Sequence, residues 1–162
     1  MDKFQGVDGL KTGYIKTSGW CCTITAKRND IRFIAVVLGS SKNGTRFNEA
    51  AKLLSYGFAN FKKVTPVHKG DVVGPTIPVK NGTKDKINLV SKSDLFAMVS
   101  KKDENKLQVV YEFPQSLDAP LKVNEEKGKI ILKFGETTLA EGPAIVGEDV
   151  QEKSLIQKIL PF

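Results

Sequence analysis

Apolar residues in the first third of the chain follow two successive periods, which predict a sheet followed by a helix. Residues 21–27 and 31–38 are rich in β-branched and apolar side chains and are separated by the turn-like residues 28–30. We expect an antiparallel hairpin whose second strand is buried for much of its length. From Thr45, a candidate N-cap, apolar residues recur at three- and four-residue spacing and predict a helix. These residues are Phe47, Ala50, Ala51, Leu54, Phe58 and Phe61.

Beyond Thr65-Pro66 the pattern changes to short apolar runs with turn residues between them. Asn81-Gly82 and residues 126–128 are examples of these turns. Short strands at this spacing, without a long helix, are typical of a small all-β, sandwich-like domain. The runs that predict strands are residues 72–73, 87–90, 95–99, 107–113, 130–134 and 144–146.

The last residues carry a third pattern, with four apolar side chains on one helical face. Two interpretations remain open: a short C-terminal helix that docks on its own domain or frays, and the start of an amphipathic membrane-anchor helix. We therefore divide the chain into residues 1–64, residues 65–151 and the tail 152–162. The apolar residues of the tail are Leu155, Ile156, Ile159 and Leu160.

Composition and charge narrow the class of protein. The chain has 162 residues, 40% of them hydrophobic, and no apolar run approaches the ~20 residues of a membrane-spanning helix. Residues 1–62 have a net charge of +6, whereas residues 63–151 carry thirteen lysines and thirteen acids. A basic first segment attracts an anionic substrate or surface, but its three arginines form no basic stripe, so we expect no nucleic-acid partner.

Cysteine and histidine usage argues against a disulfide scaffold and against a metal site. The two cysteines, Cys21 and Cys22, are adjacent and cannot close an ordinary loop, so one of them is expected to face the core. With His68 as the single histidine, a structural zinc site lacks ligands. We expect neither a metal nor a cofactor.

The most specific stretch is the motif Lys11-Thr12-Gly13, which precedes the predicted hairpin. Lys-Thr-Gly is the third motif of the active-site-serine penicillin-recognising enzymes. Here the chain strongly resembles the serine-type D-alanyl-D-alanine carboxypeptidases, the low-molecular-mass penicillin-binding proteins. The resemblance covers almost the whole chain. It rests, in order and spacing, on residues 8–13, 26–28, 34–39, Arg46 and residues 52–58.

The resemblance implies a fold and a role for each motif residue. Residues 1–64 are then an α+β fragment of a penicillin-recognising, transpeptidase-like domain, with antiparallel strands and one helix, and the all-β segment is the second domain. Lys11 supplies an ammonium that helps to orient the nucleophile, and Thr12 and Arg46 bind the substrate carboxylate. Gly13 permits close approach of an extended substrate, and the backbone N–H of Tyr14 forms half of the oxyanion hole.

Two departures from the family pattern qualify this interpretation. The family commonly has Thr where this chain has Ile15, so a hydroxyl contact is lost there. The family's nucleophile lies in Ser-x-x-Lys, and no serine in this chain has lysine three residues later. Ser41-Lys42-Asn43 matches the second motif in letters but follows Lys-Thr-Gly, and we interpret it as a coincidence. We therefore expect the C-terminal part of a longer enzyme, inactive on its own.

The parent enzyme is expected to act on the outer face of the bacterial cytoplasmic membrane. There it removes the terminal D-alanine from peptidoglycan pentapeptide stems by serine acylation and binds β-lactam antibiotics. Two alternatives are a non-catalytic β-domain spacer or interaction module of a cell-wall protein and, less favoured, a class A β-lactamase fragment. Without the N-terminal part, apolar side chains such as Ile34 and Val36 would be exposed. We therefore expect either a homodimer through that sheet or a companion segment.

Overall fold

The computed structural model describes residues 4–154 of the chain. It is mostly β-structure with one α-helix, and it divides into two compact units. The first unit consists of the residues up to Lys63 together with Val99–Lys102, and the second consists of Val64–Met98 and the residues from Asp103 onward.

The first unit is built on a three-stranded antiparallel sheet. Its strands are β1, Val7–Ile15, β2, Gly19–Arg28, and β3, Ile31–Ser40, in the order β1-β2-β3. Helix α1, Asn43–Asn60, packs against one face of the sheet. Because side chains alternate across a strand, every second residue of β2 and β3 faces the helix. The core that forms between them contains Cys22, Ile24, Ala26, Ala35, Val37, Ala50 and Leu54.

The opposite, outer face of this sheet is exposed. Ile34, Val36 and Leu38 alternate with the core residues of β3, and their exposed fractions are 62%, 54% and 75%. The expectation that β3 is buried for much of its length is therefore wrong for the described unit. The apolar run has the composition of a strand covered on both faces, but α1 covers only one.

Helix α1 begins before the residue that its apolar period suggests. Its N-cap is Lys42, which makes no side-chain capping hydrogen bond, so the expected cap at Thr45 is wrong and Thr45 lies inside the first turn. The helix ends at Asn60, so Phe61 belongs to the next strand. Within the helix, a Cβ on Gly57 would lie 3.0 Å from the Phe33 ring, which explains a glycine inside a helical pattern.

The second unit is an all-β unit centred on a six-stranded sheet. The strands that follow α1 along the chain are β4, Phe61–Val67; β5, Val72–Lys80; β6, Lys86–Ser91; β7, Leu95–Ser100; β8, Leu107–Glu112; β9, Leu117–Asp118; β10, Glu126–Phe134; and β11, Thr137–Val146. The strand predictions are confirmed for β5, β6, β7, β8, β10 and β11, whereas β4 and β9 had not been predicted. Strands β4 and β7 form a separate two-stranded ladder, and a short 3₁₀ turn spans Glu104–Lys106.

The six-stranded sheet has the order β8-β10-β11-β6-β5-β9 and is antiparallel except for the β5–β9 pair. Leu89, Ile130, Leu132 and Val146 are completely buried, since side chains of alternate positions point into the core. A Cβ on Gly128 would lie 2.4 Å from the Phe113 ring, so β10 runs closely beneath that ring.

The described end of the chain is extended rather than helical. Glu152 forms an isolated bridge with Gly82, and the predicted amphipathic residues 155–162 lie outside the described residues. Between residues 4 and 154, no helix is both long enough and apolar enough to cross a bilayer.

Candidate active site

The Lys-Thr-Gly motif lies on β1, an edge strand of the three-stranded sheet. Among the described strands β1 pairs only with β2, so its other edge is unpaired. Every residue from Leu10 to Ile15 is exposed. An exposed and unpaired edge can accept an extended peptide as an additional strand through main-chain hydrogen bonds.

The register of β1 on β2 divides the motif residues between the two faces of the sheet. Lys11 lies opposite Thr23 and Gly13 lies opposite Cys21, whereas Thr12 lies opposite the buried Cys22. Directly opposed residues of an antiparallel pair share a face. Lys11 and Gly13 are therefore on the outer face, and Thr12 is on the face that carries α1.

Lys11 extends along its own strand. Its Nζ donates a hydrogen bond to the backbone oxygen of Thr12 at 3.0 Å, and within the described part of the chain Lys11 has no ion-pair partner. An ammonium without a carboxylate partner on an exposed face can interact with a substrate or with a residue supplied by another segment.

Arg46 connects α1 to the end of β1 that carries the motif. It is only 6% exposed, and its Nη1 donates hydrogen bonds to the backbone oxygens of Gly13 and Cys21, each at 2.9 Å. Its Nε is buried and has no hydrogen-bond partner among residues 4–154. The guanidinium therefore holds the backbones of β1 and β2 together at Gly13.

Aromatic rings surround this guanidinium. The Arg46 Cζ lies 5.0 Å from the centre of the Trp20 ring and 4.7 Å from that of Phe47. Tyr14 packs on Trp20 with ring centroids 4.2 Å apart. Cation–π contacts of this kind stabilise a guanidinium that is largely removed from water.

A polar cluster that the sequence interpretation assigned no role lies at the start of the motif strand. The guanidinium of Arg32 binds the Asp8 carboxylate through two hydrogen bonds, with Nη1–Oδ1 at 2.7 Å and Nη2–Oδ2 at 2.6 Å. Thr25 Oγ1 donates to Asp8 Oδ1 at 2.7 Å. The hydrogen bonds from Arg32 and then from Thr25 hold the pKa of Asp8 well below its ordinary range.

The sequence contained one signal for this cluster, an acid three residues before Lys11 and an arginine in the following hairpin. Which residues meet depends on strand register, and register is set by tertiary structure.

The position of the cysteines agrees with the sequence analysis. Both are free thiols, and Cys22 is buried, as expected for one of the pair. Burial raises the pKa of the Cys22 thiol.

Comparison with protein families divides the chain in two. Residues 61–152 match the family model described as "Penicillin-binding protein 5, C-terminal domain". Residues 1–42 match the model described as "D-alanyl-D-alanine carboxypeptidase". The first match covers more than half of the chain.

Curated relatives agree with these matches. The chain is 33% identical over 157 residues to the D-alanyl-D-alanine carboxypeptidase DacC of Escherichia coli, covering 96% of this chain and 39% of the relative. It is 30% identical over 154 residues to DacF of Bacillus subtilis, covering 94% and 39%. The chain thus spans about two fifths of the length of these relatives.

Solved structures give the same relationship. Penicillin-binding protein 5 from Haemophilus influenzae superposes with a TM-score of 0.69 at 30% identity, covering 93% of this chain and 44% of that one. The D-alanyl-D-alanine carboxypeptidase DacD from Francisella tularensis superposes with a TM-score of 0.64 at 31% identity, covering 94% and 38%. The chain therefore belongs to the family of the penicillin-binding protein 5 C-terminal domain and corresponds to the C-terminal part of a serine-type D-alanyl-D-alanine carboxypeptidase.

Proposed function

We propose that this chain supplies the substrate-binding strand of a D-alanyl-D-alanine carboxypeptidase. The complete enzyme removes the terminal D-alanine from peptidoglycan pentapeptide stems by acylation of a serine, and penicillins acylate the same serine. The observation that carries the proposal is the Lys-Thr-Gly motif on an edge of β1 that no other described strand pairs with, together with Arg46 bound to the carbonyl of Gly13.

Each motif residue has a role that its position supports. Lys11, on the outer face and without an ion-pair partner in the described structure, orients the nucleophile. Thr12, on the face that carries α1, binds the carboxylate of the substrate with its hydroxyl. Gly13 lets the substrate backbone approach, because no neighbouring atom of the described residues lies within 4 Å of the position its Cβ would take. The backbone N–H of Tyr14 is one donor to the oxyanion.

The main role of Arg46 is to position β1, the strand that carries the motif. Its Nη1 is already shared between two backbone oxygens, so a contact with the substrate carboxylate has to use the remaining part of the guanidinium. We propose that the donors of the Arg46 guanidinium other than Nη1 contact the substrate carboxylate. The bonds to Gly13 and Cys21 give Arg46 a second role, the positioning of β1.

The domain organisation follows from the same proposal. Residues 1–64 are part of the α+β catalytic domain, residues 65–151 form the second domain, and residues 152–162 begin a membrane-binding tail. The parent enzyme then works in the cell envelope, on the outer face of the cytoplasmic membrane. The exposed outer face of the sheet binds either a second copy of the chain or the part of the enzyme that carries the nucleophile.

The chain alone is expected to be inactive, because it has no Ser-x-x-Lys sequence to acylate. Intact mass spectrometry before and after incubation with a penicillin tests this expectation, and a single unmodified species at 17.8 kDa is the expected result. A penicilloyl adduct on the isolated chain would contradict it.

Activity is tested by joining the chain to the part of DacF that lies outside the region the chain matches. The fusion is expected to form the penicilloyl adduct and to release D-alanine from a pentapeptide. In the fusion, Lys11→Met is expected to slow acylation by about 10²-fold, the usual cost of misplacing a reacting group. Lys16→Met, which changes another exposed lysine of the same segment, is the matched control and should leave the rate unchanged. A folded fusion that forms no adduct would refute the proposed function.

The alternative is a non-catalytic spacer or interaction module built on the second unit. Its charge balance and its surface pairs, such as Lys92 with Glu126 at 2.6 Å and Lys84 with Glu148 at 2.6 Å, suit a surface without a charged ligand. Under this alternative the folded fusion would bind no penicillin, so the same experiment separates the two functions.

A further inference from the structure

One peptide group of the motif strand, the group that joins Gly13 to Tyr14, contains both a bound carbonyl and the proposed oxyanion donor. Its oxygen is that of Gly13, which accepts a hydrogen bond from Arg46 Nη1 at 2.9 Å. Its N–H is that of Tyr14, which donates to the oxyanion in the proposed function. The C=O and the N–H belong to one resonance-coupled unit, so a group that binds the oxygen also acts on the N–H.

The hydrogen bonds of Arg46 fix the direction in which this N–H points. The same Nη1 donates to the backbone oxygen of Cys21, the residue of β2 opposite Gly13, at 2.9 Å. Because a single nitrogen binds both oxygens, the Gly13 oxygen points towards β2. The Gly13–Tyr14 bond is trans, and a trans peptide group is planar with its C=O and N–H directed to opposite sides. The Tyr14 N–H therefore points to the edge of β1 that no other described strand pairs with.

The guanidinium brings a positive charge that no described carboxylate neutralises. Arg46 is almost completely buried, and its partners are the two backbone oxygens and the rings of Trp20 and Phe47. None of the ion pairs among residues 4–154 includes it. Arginine stays charged in proteins, and a buried charge is screened much less than an exposed one. The field of the guanidinium therefore acts on the Gly13 carbonyl with little screening.

A charge-assisted hydrogen bond to an amide oxygen makes the N–H of the same group a stronger donor. The bond draws electron density towards the oxygen, and hydrogen bonds that are linked in a chain polarise one another. Donors stabilise an oxyanion most effectively when they are oriented before the reaction begins. The Tyr14 N–H meets both conditions, because Arg46 fixes its direction and supplies the charge.

We propose that Arg46 activates the oxyanion-binding N–H of Tyr14 by binding the carbonyl of the same peptide group. When the serine oxygen adds to the substrate carbonyl carbon, the electron pair of the C=O double bond moves to the oxygen, and the Tyr14 N–H binds the negative charge that forms there. In this role Arg46 is a positioning residue, since it acts through the peptide group. The consequence for acylation rests on the proposed function, but the state of the peptide group can be measured without substrate.

The exchange of the Tyr14 amide proton with water tests the proposal in the full chain. Base-catalysed exchange passes through a peptide anion whose negative charge lies largely on the Gly13 oxygen, so a positive charge bound to that oxygen accelerates exchange. We expect Arg46→Met to slow exchange at Tyr14 by about tenfold or more, measured by nuclear magnetic resonance as magnetisation transfer from water. A purely structural role of Arg46 predicts the opposite sign, because a loosened strand exposes its amides and exchanges faster.

Three further variants separate the bound charge from other effects. Arg46→Gln keeps an uncharged donor at the site and should slow exchange at Tyr14 as Arg46→Met does, and it replaces that variant if Arg46→Met does not fold. Arg46→Lys keeps a charged donor, so Tyr14 should exchange faster in it than in Arg46→Gln. Lys52→Met removes one charge from an exposed position of α1 and is the matched control, in which exchange at Tyr14 should be unchanged. The Leu54 amide of α1 reports opening of the whole unit.

Three results would overturn the proposal. The first is exchange at Tyr14 in Arg46→Met and Arg46→Gln that equals or exceeds the native rate, with or without acceleration at Leu54. The second is the same slowing in Lys52→Met, which would assign the effect to net charge. The third is equal exchange at Tyr14 in Arg46→Lys and Arg46→Gln. A folded fusion with DacF that forms no penicilloyl adduct would leave all of these rates unchanged, so failure of the proposed function is distinguishable from failure of this inference.

Discussion

Replacement of Arg46 by methionine is the sharpest test of how the motif strand is held. Methionine keeps much of the length and apolar volume of the side chain but removes every donor. The backbone oxygens of Gly13 and Cys21 then lose the hydrogen bonds that they accept from Nη1 at 2.9 Å. The contacts of the guanidinium with the Trp20 and Phe47 rings are lost as well.

The magnitude follows from these contacts. A hydrogen bond to a charged group contributes about 1.5–3 kcal/mol, and a partly desolvated cation–π contact contributes about 0.5–2 kcal/mol. Two effects reduce the sum: Gly13 is exposed, so water can reach its freed carbonyl, and the buried Nε of Arg46 has no partner to lose. We expect the free energy of unfolding of the first unit to fall by about 2–4 kcal/mol, a large fraction of the stability of a typical domain.

The assay is urea denaturation followed by tryptophan fluorescence. Trp20 is the single tryptophan of the chain and belongs to the first unit, so its emission reports that unit separately from the second. Lys52→Met, at an exposed position of the same helix, is the matched control and should lie within about 0.5 kcal/mol of the native protein. If Arg46→Met also lies within that margin, the bonds to Gly13 and Cys21 do not hold the strand, and the reasoning is refuted.

Two further predictions concern glycines and acid. Gly128→Ala should destabilise the second unit by about 1–3 kcal/mol, because the added Cβ would lie 2.4 Å from the Phe113 ring. Gly44 lies in α1, and no atom of the described residues is within 4 Å of the position its Cβ would take. Gly44→Ala should therefore stabilise the first unit by about 0.5–1 kcal/mol. Denaturation curves by circular dichroism for Gly128→Ala and by Trp20 fluorescence for Gly44→Ala measure both, and equal effects would contradict the steric argument. The lowered pKa of Asp8 means that its contribution is fully present above the ordinary carboxyl value of about 4 and is lost as pH falls through the lower folded value. Of the charged groups on the neighbouring strands, Arg32 binds Asp8, whereas Lys27 is paired with Asp30. The Asp8→Asn variant has no carboxylate to protonate at residue 8, so its free energy of unfolding should fall less than that of the native protein as the pH is lowered below about 4. Parallel curves of stability against pH would contradict this.

The sequence allowed the strands and the helix to be predicted in segments where a single hydrophobic period dominates. The apolar run of residues 31–38 and the helical period from Phe47 to Leu54 became β3 and α1, because side-chain periodicity reports secondary structure directly. The Lys-Thr-Gly motif could be found because its residues are contiguous. Short local signals of this kind can be recognised without knowledge of tertiary contacts.

Features that depend on contacts between distant residues could not be predicted. The bonds of Arg46 to Gly13 join residues 33 positions apart, and the Asp8–Arg32 pair joins residues 24 positions apart. The exposure of Ile34 and Val36 was expected only because the chain resembles part of a longer family, since hydrophobicity indicates that a strand can be covered but not which segment covers it. The start of α1 at Asn43 lacks a capping side chain, so no residue type marked it.

The exposed outer face of β3 has a consequence for the purified protein. Residues 33–38 are six consecutive apolar residues of high β-propensity without proline or charge, a composition that promotes cross-β aggregation when a strand edge is accessible. Among the described strands β3 pairs only with β2, so its second edge is open. The nearest charged residues along the chain, Arg32 within β3 and Lys42 after its end, flank this run without interrupting it. Val36→Lys would place a charge in the middle of the exposed face and is the substitution we expect to raise the concentration at which the chain stays in solution.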